Sequence, residues 1–128
     1  MALHPPTPTP APLTDRTDAA RRSLRAAWVF VAGLAVSFVV AMVIGEALLS
    51  LQGYPSGGET PPLDVMLLAG VPALVVLVSP AIGAIWFGMR ARRLGEPRGI
   101  TPVVVASVVA GGALVTNTVQ AVAGLLTG

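Results

Sequence analysis

The stretch AAWVFVAGLAVSFVVAMVIGEALLSL, residues 26–51, decides how this chain folds. From Ala26 to Gly45 its only hydroxyl or charged side chain is Ser37, so a helix built on it is apolar all round. A buried helix of a soluble bundle keeps a polar face, and this one has none. Its length exceeds the roughly 20 residues that cover about 30 Å of hydrocarbon at a rise of about 1.5 Å per residue.

Two further runs repeat the pattern, Val65 to Met89, with Ser79 alone polar, and Thr101 to Leu126. The spacing predicts an all-α integral membrane bundle of three transmembrane helices over about 26–51, 65–89 and 101–126. Composition agrees: 54% of residues are hydrophobic and 11% charged, where soluble domains average roughly 25% charged.

Punctuation between the runs predicts the helix ends. Gly53 and Pro55 stop the first helix. Thr60-Pro61 reads as a cap and first-turn proline for the second, with Asp64 near the positive end of its dipole. Leu94-Gly95 closes the second helix, and Thr101-Pro102 reads as the cap and proline of the third. The loops are short, so residues 15–128 form one transmembrane domain with antiparallel neighbours. Residues 1–14, rich in proline, read as a disordered tail that could also dock a partner. From about Thr14 the chain can enter a helix, with Asp15 and Asp18 in its first turn, so the first helix is expected to run some turns past the membrane.

All eight basic residues are arginines at one side of this scheme: Arg16, Arg21, Arg22, Arg25, Arg90, Arg92, Arg93 and Arg98. Loops rich in arginine stay in the cytoplasm during insertion, which predicts the N-terminus inside and the C-terminus outside. Trp28 and Trp86 then mark the inner interface and Tyr54 the outer one. The same arginines, Arg21, Arg22, Arg25, Arg90, Arg92, Arg93 and Arg98 above all, are expected to meet anionic lipid headgroups rather than nucleic acid. Ala20 to Arg25 resembles a twin-arginine export signal, but the apolar run behind it is about twice the length of a cleavable one, so it reads as an uncleaved anchor. Arginine without lysine, beside abundant Ala, Val, Gly and Pro, fits a GC-rich bacterial genome and hence a multi-pass protein of the bacterial cytoplasmic membrane.

Two stripes of small or short polar residues stand out. Gly33, Ser37, Ala41 and Gly45 recur every four residues in the first span, and Gly112, Thr116, Gln120 and Gly124 do so in the third. In lipid such stripes let backbones approach closely. The structural expectation mates the two stripes with each other; the competing expectation turns one of them to another polypeptide. Glu46 lies inside the first span, and a carboxylate there is a candidate functional group. Asn117 and Gln120 fall at about the same depth, which predicts a polar cluster of Glu46, Asn117 and Gln120, either a clamp between helices or a site for a proton or cation. Pro72 and Pro80 in the second span free the carbonyls of Leu68 and Val76, which predicts a packing kink.

Catalysis finds no support. The chain has no Cys or Lys, and its one histidine, His4, lies in the tail, so serine–histidine pairs and cysteine nucleophiles are absent. The acids are scattered, no metal-ligand set or nucleotide loop is seen, and no cofactor is expected. Three spans also cannot divide into two equal inverted halves, which argues against a stand-alone transporter. The leading expectation is a non-catalytic accessory or structural subunit docking onto a larger membrane complex, with a respiratory assembly as the example in view. The alternative is a small transport or ion-coupling component, homo-oligomeric, working through Glu46.

Overall fold

The computed structural model describes residues 12–55 and 58–127. They form three long helices: α1 (Leu13–Leu51), α2 (Leu63–Arg93) and α3 (Ile100–Thr127), with a 3-10 turn at Pro97–Gly99 leading into α3. No strand occurs among the described residues. Each helix is long and apolar enough to cross a membrane. Within their most apolar windows only 17%, 17% and 22% of residues are buried, and Val36, Phe38, Leu68, Ile82, Val108 and Val115 all lie exposed. Apolar side chains that point outward so consistently need a hydrocarbon solvent.

The proline-rich tail expected over residues 1–14 lies outside the described residues as far as residue 11, and α1 already includes Leu13 and Thr14. The 39 residues of α1 measure about 58 Å at a rise of about 1.5 Å. That is nearly twice the hydrocarbon thickness of roughly 30 Å, so α1 is longer than one crossing requires. Thr17 Oγ1 steadies the start of α1 by donating to the carbonyls of Thr14 at 2.8 Å and Leu13 at 3.2 Å.

Both glycine stops hold. Gly53 and Gly95 take the left-handed conformation, with φ of 88° and 95°. After α1, Gly53 N–H donates to Ser50 O and Tyr54 N–H to Leu49 O; after α2, Gly95 N–H donates to Arg92 O and Glu96 N–H to Ala91 O. This paired pattern is the Schellman cap, which satisfies the last carbonyls of each helix.

Both expected N-caps are corrected. α2 starts at Leu63 after an extended Pro62, with no side-chain cap, so Thr60-Pro61 stays in the loop; Asp64 does occupy the first turn. α3 starts before Thr101. The Glu96 carboxylate accepts from Arg98 N–H at 3.3 Å, and Pro97–Gly99 winds straight into the helix. Pro102 therefore sits in the first turn, where a missing N–H costs no helical bond.

The core is built from small residues at a repeat of seven. α1 buries Ala20, Ala27, Leu34 and Ala41, and α2 buries Leu77, Ala84 and Ala91 together with Ala81 and Gly88. A repeat of seven keeps one seam of each helix facing its partner, as in left-handed helix pairs. Pro102 is the largest side chain that is fully buried. Close backbone approach and dispersion between many small surfaces therefore hold the bundle together, rather than bulky interlocking side chains. All three helices meet where Leu34, Ala81, Ala84, Ala106 and Ala110 cluster.

The two small-residue stripes are not mates. A Cβ on Gly33 would lie 3.8 Å from Pro80, and the Cβ of Ala73 is 3.7 Å from the equivalent position on Gly45, so the first stripe lies against α2. Both distances are ordinary van der Waals contact, so the first stripe packs on α2 without a steric need for glycine at either position. α2 stays helical through both Pro72 and Pro80, with Ser79 Oγ donating to Val75 O at 2.6 Å nearby. One pair of aromatic rings reinforces the same interface, Phe30 of α1 stacking on Phe87 of α2 with centroids 5.5 Å apart, while Trp86 meets Phe87 edge-on at 4.8 Å within α2. Each such pair contributes on the order of 0.5–1.5 kcal/mol.

Candidate partner-binding surface

α3 is gripped at one end and open along the rest. At the arginine-rich end, a Cβ on Gly88 would fall 2.6 Å from Val103 Cγ2 and 2.8 Å from Gly99 O, and one on Gly99 would fall 2.5 Å from Gly88 O. Pro102, Ala106 and Ala110, spaced by four, are buried beyond this junction. From Gly112 to Leu126 every described residue is exposed except the half-buried Ala113 and Ala121. Cβ atoms built on Gly111, Gly112 and Gly124 meet nothing within 4 Å.

Two grooves flank the open part. A groove of about 630 Å³ between α1 and α3 is lined by Leu34, Phe38, Leu77, Val109 and Thr116 among others. A smaller one of about 270 Å³ between α2 and α3 is lined by Met66, Gly70, Leu74, Asn117 and Gln120 among others. Gly124 borders a third hollow with Pro61 and Met66. The second stripe, Gly112, Thr116, Gln120 and Gly124, thus runs along an exposed helix whose neighbours stand back from it.

The polar groups of this half are partly used within the helix. Asn117 Nδ2 donates to Ala113 O at 2.8 Å, and Thr118 Oγ1 to Leu114 O at 2.9 Å. Such back-bonding satisfies a donor where water is scarce. Gln120 and Thr116 are exposed. Glu46 is exposed on α1 and lines neither large groove, whereas Asn117 and Gln120 share one. The three residues of the expected polar cluster are therefore not gathered around one groove.

The opposite end is electrostatically distinct. Eight arginines against Asp15, Asp18 and Glu96 leave a surplus of five positive charges there, while Glu46, Glu59 and Asp64 make the other end three negative, consistent with the net +2. Arg21, Arg22 and Arg25 share a surface hollow with Asp15 and Asp18, and the Arg90 guanidinium lies 5.7 Å from the Trp86 ring centroid. Arg92, Arg93 and Arg98 are exposed as well. Among the described residues, no three metal-ligating side chains come together.

The packing seams were the residues that stripe counting missed. Ala20, Ala27, Leu34 and Ala41 repeat at seven, and so do Leu77, Ala84 and Ala91; a spacing of four picks out Ala41 alone of these. A heptad scan of the small residues would have found them.

The fold and surface define a small all-helical protein with three helices able to cross a membrane. Compared with known protein families, curated proteins and solved structures, the chain matches none.

Proposed function

We propose that the chain is a non-catalytic accessory subunit of a larger membrane complex, and that the open half of α3 is its docking face. One observation carries this reading: glycines at 111, 112 and 124 have nothing within 4 Å, on a helix whose other end is packed to backbone contact. Glycine in a membrane helix weakens it unless a close approach makes use of the missing side chain. Within the chain, Gly83, Gly88 and Gly99 have that use, each with a neighbouring atom less than 3.0 Å from where a Cβ would stand. A foreign helix supplies it for α3. The arginine-rich end faces the cytoplasm in this reading, the N-terminus is inside, and the setting is a bacterial cytoplasmic membrane with assemblies of the respiratory kind as the reference case. The test is extraction of native membranes in mild detergent followed by size and mass analysis. Co-migration with a larger partner at fixed stoichiometry is expected. A chain that runs alone or only with its own copies overturns the proposal.

A second reading rests on Glu46, a carboxylate exposed on an apolar helix, where ionisable groups commonly mark ion pathways. Here the chain is an ion-coupling component. Glu46→Gln separates the two readings in reconstituted vesicles. An accessory subunit keeps its partner and any flux of the complex within about twofold, whereas a coupling carboxylate loses proton-driven flux altogether.

A further inference from the structure

Two stripes of tryptophan and arginine run from the level of the aromatic rings toward the same end of the bundle. On α1 the stripe is Trp28, Arg25 and Arg21; on α2 it is Trp86, Arg90 and Arg93, and all six are exposed. Steps of three and four residues keep each set on one face of its helix. The stripes differ in their surroundings. Arg21 and Arg25 share their hollow with Asp15 and Asp18, which compete for the guanidinium groups. On α2 the Arg90 guanidinium carbon instead lies 5.7 Å from the Trp86 ring centroid, within cation–π range, and the guanidinium carries more N–H donors than one such contact engages.

We propose that the α2 stripe clamps the headgroup of an anionic phospholipid that carries two phosphates. Trp86 sets the depth, because an indole settles at the boundary between hydrocarbon and headgroups. Arg90 is one helical turn further out, at the phosphate level, and Arg93 is about 4.5 Å beyond it along the axis. A guanidinium takes a phosphate through two parallel N–H bonds, which a lysine ammonium cannot do. The two guanidinium groups hang from neighbouring positions about 5–6 Å apart at Cβ, which suits two phosphates joined by a short linker. Once the first phosphate is seated, the second binds at a high local concentration. The surplus of five positive charges at this end draws the anionic lipid in. The clamp goes beyond the subunit reading and does not depend on it, since it needs only the end of α2 at a headgroup layer.

The test uses the full chain in mild detergent, with retained lipid counted by native mass spectrometry. The probes are diphosphatidylglycerol and, at twice the molar amount to match charge, phosphatidylglycerol. The unaltered chain is expected to retain the two-phosphate lipid about tenfold better. Arg90→Lys with Arg93→Lys should bring that preference below about twofold, and Trp86→Leu should weaken it, while Arg21→Lys with Arg25→Lys leaves it in place. Lysine keeps the charge that directs insertion, so the comparison reads the guanidinium fork and not the topology. Equal retention of the two lipids by the unaltered chain overturns the clamp. So does a preference that survives in the α2 double variant, or one that falls equally in both double variants.

Discussion

Gly99→Ala is expected to cost the chain about 3 kcal/mol, the upper part of the usual range for overpacking. The new Cβ would lie 2.5 Å from Gly88 O, 2.9 Å from Arg92 N and 3.1 Å from Ala91 Cβ. Two of these atoms are backbone, so neither can rotate away. α3 must then lift off α2 at their closest backbone contact among the glycines described. Gly83→Ala makes the contrast, since its Cβ meets only the Phe30 ring, at 2.6 Å, and a ring can swing at the expense of its stack on Phe87. Gly88→Ala collides with Gly99 O and Val103, at the same contact. The Gly88→Ala, Gly99→Ala pair should therefore lose distinctly less than the sum of the single losses. Reversible unfolding in mixed detergent, followed by helical circular dichroism, measures all three. Gly111→Ala is the control, because its Cβ has open space and alanine favours the helix by up to about 1 kcal/mol over glycine. If Gly99→Ala matches Gly111→Ala in stability, the junction is not packed as described.

The second large effect is on association. Gly112→Leu should leave the isolated chain no less stable than before, since its Cβ meets nothing in the chain and leucine favours the helix over glycine by somewhat under about 1 kcal/mol. The same leucine should hold a partner helix away from α3 and reduce recovery of the complex by tenfold or more, a loss of at least about 1.4 kcal/mol. Val115→Leu, on a strongly exposed position of the same helix, presents the same leucine side chain away from the stripe and should leave recovery unchanged. The readout is the ratio of partner to tagged chain after mild extraction. Full recovery of the complex with Gly112→Leu would remove Gly112 from the interface and leave the docking proposal without its central residue.

Much of this architecture could be read from residues alone, and the reasons for the failures are physical. Apolar content around the whole helix circumference marked all three helices, because no soluble packing accommodates it. Gly53 and Gly95 were legible as stops because a left-handed residue ends a helix by local geometry. The caps at Thr60 and Thr101 were misread because Thr-Pro is a local signal that a second proline, Pro62, and the Glu96 turn outcompete. The partner of the Gly33 stripe was misassigned for a different reason. Small residues announce a close approach but not to whom, and the residues that the stripe meets, Pro80 and Ala73, sit on another helix. The docking face stood among the sequence alternatives, yet its openness depends on how far α3 stands from its neighbours, which no linear pattern encodes.

Packed against its neighbours as far as Ala110 and exposed from Gly112 onward, α3 resembles a cantilever. Displacement of such a beam would grow toward its tip. A partner helix docked against Gly112 to Gly124, as proposed, would restrain that tip, and its grip would be offset by any motional entropy it removes. Stiffening α3 in advance would therefore tighten capture without adding a single contact.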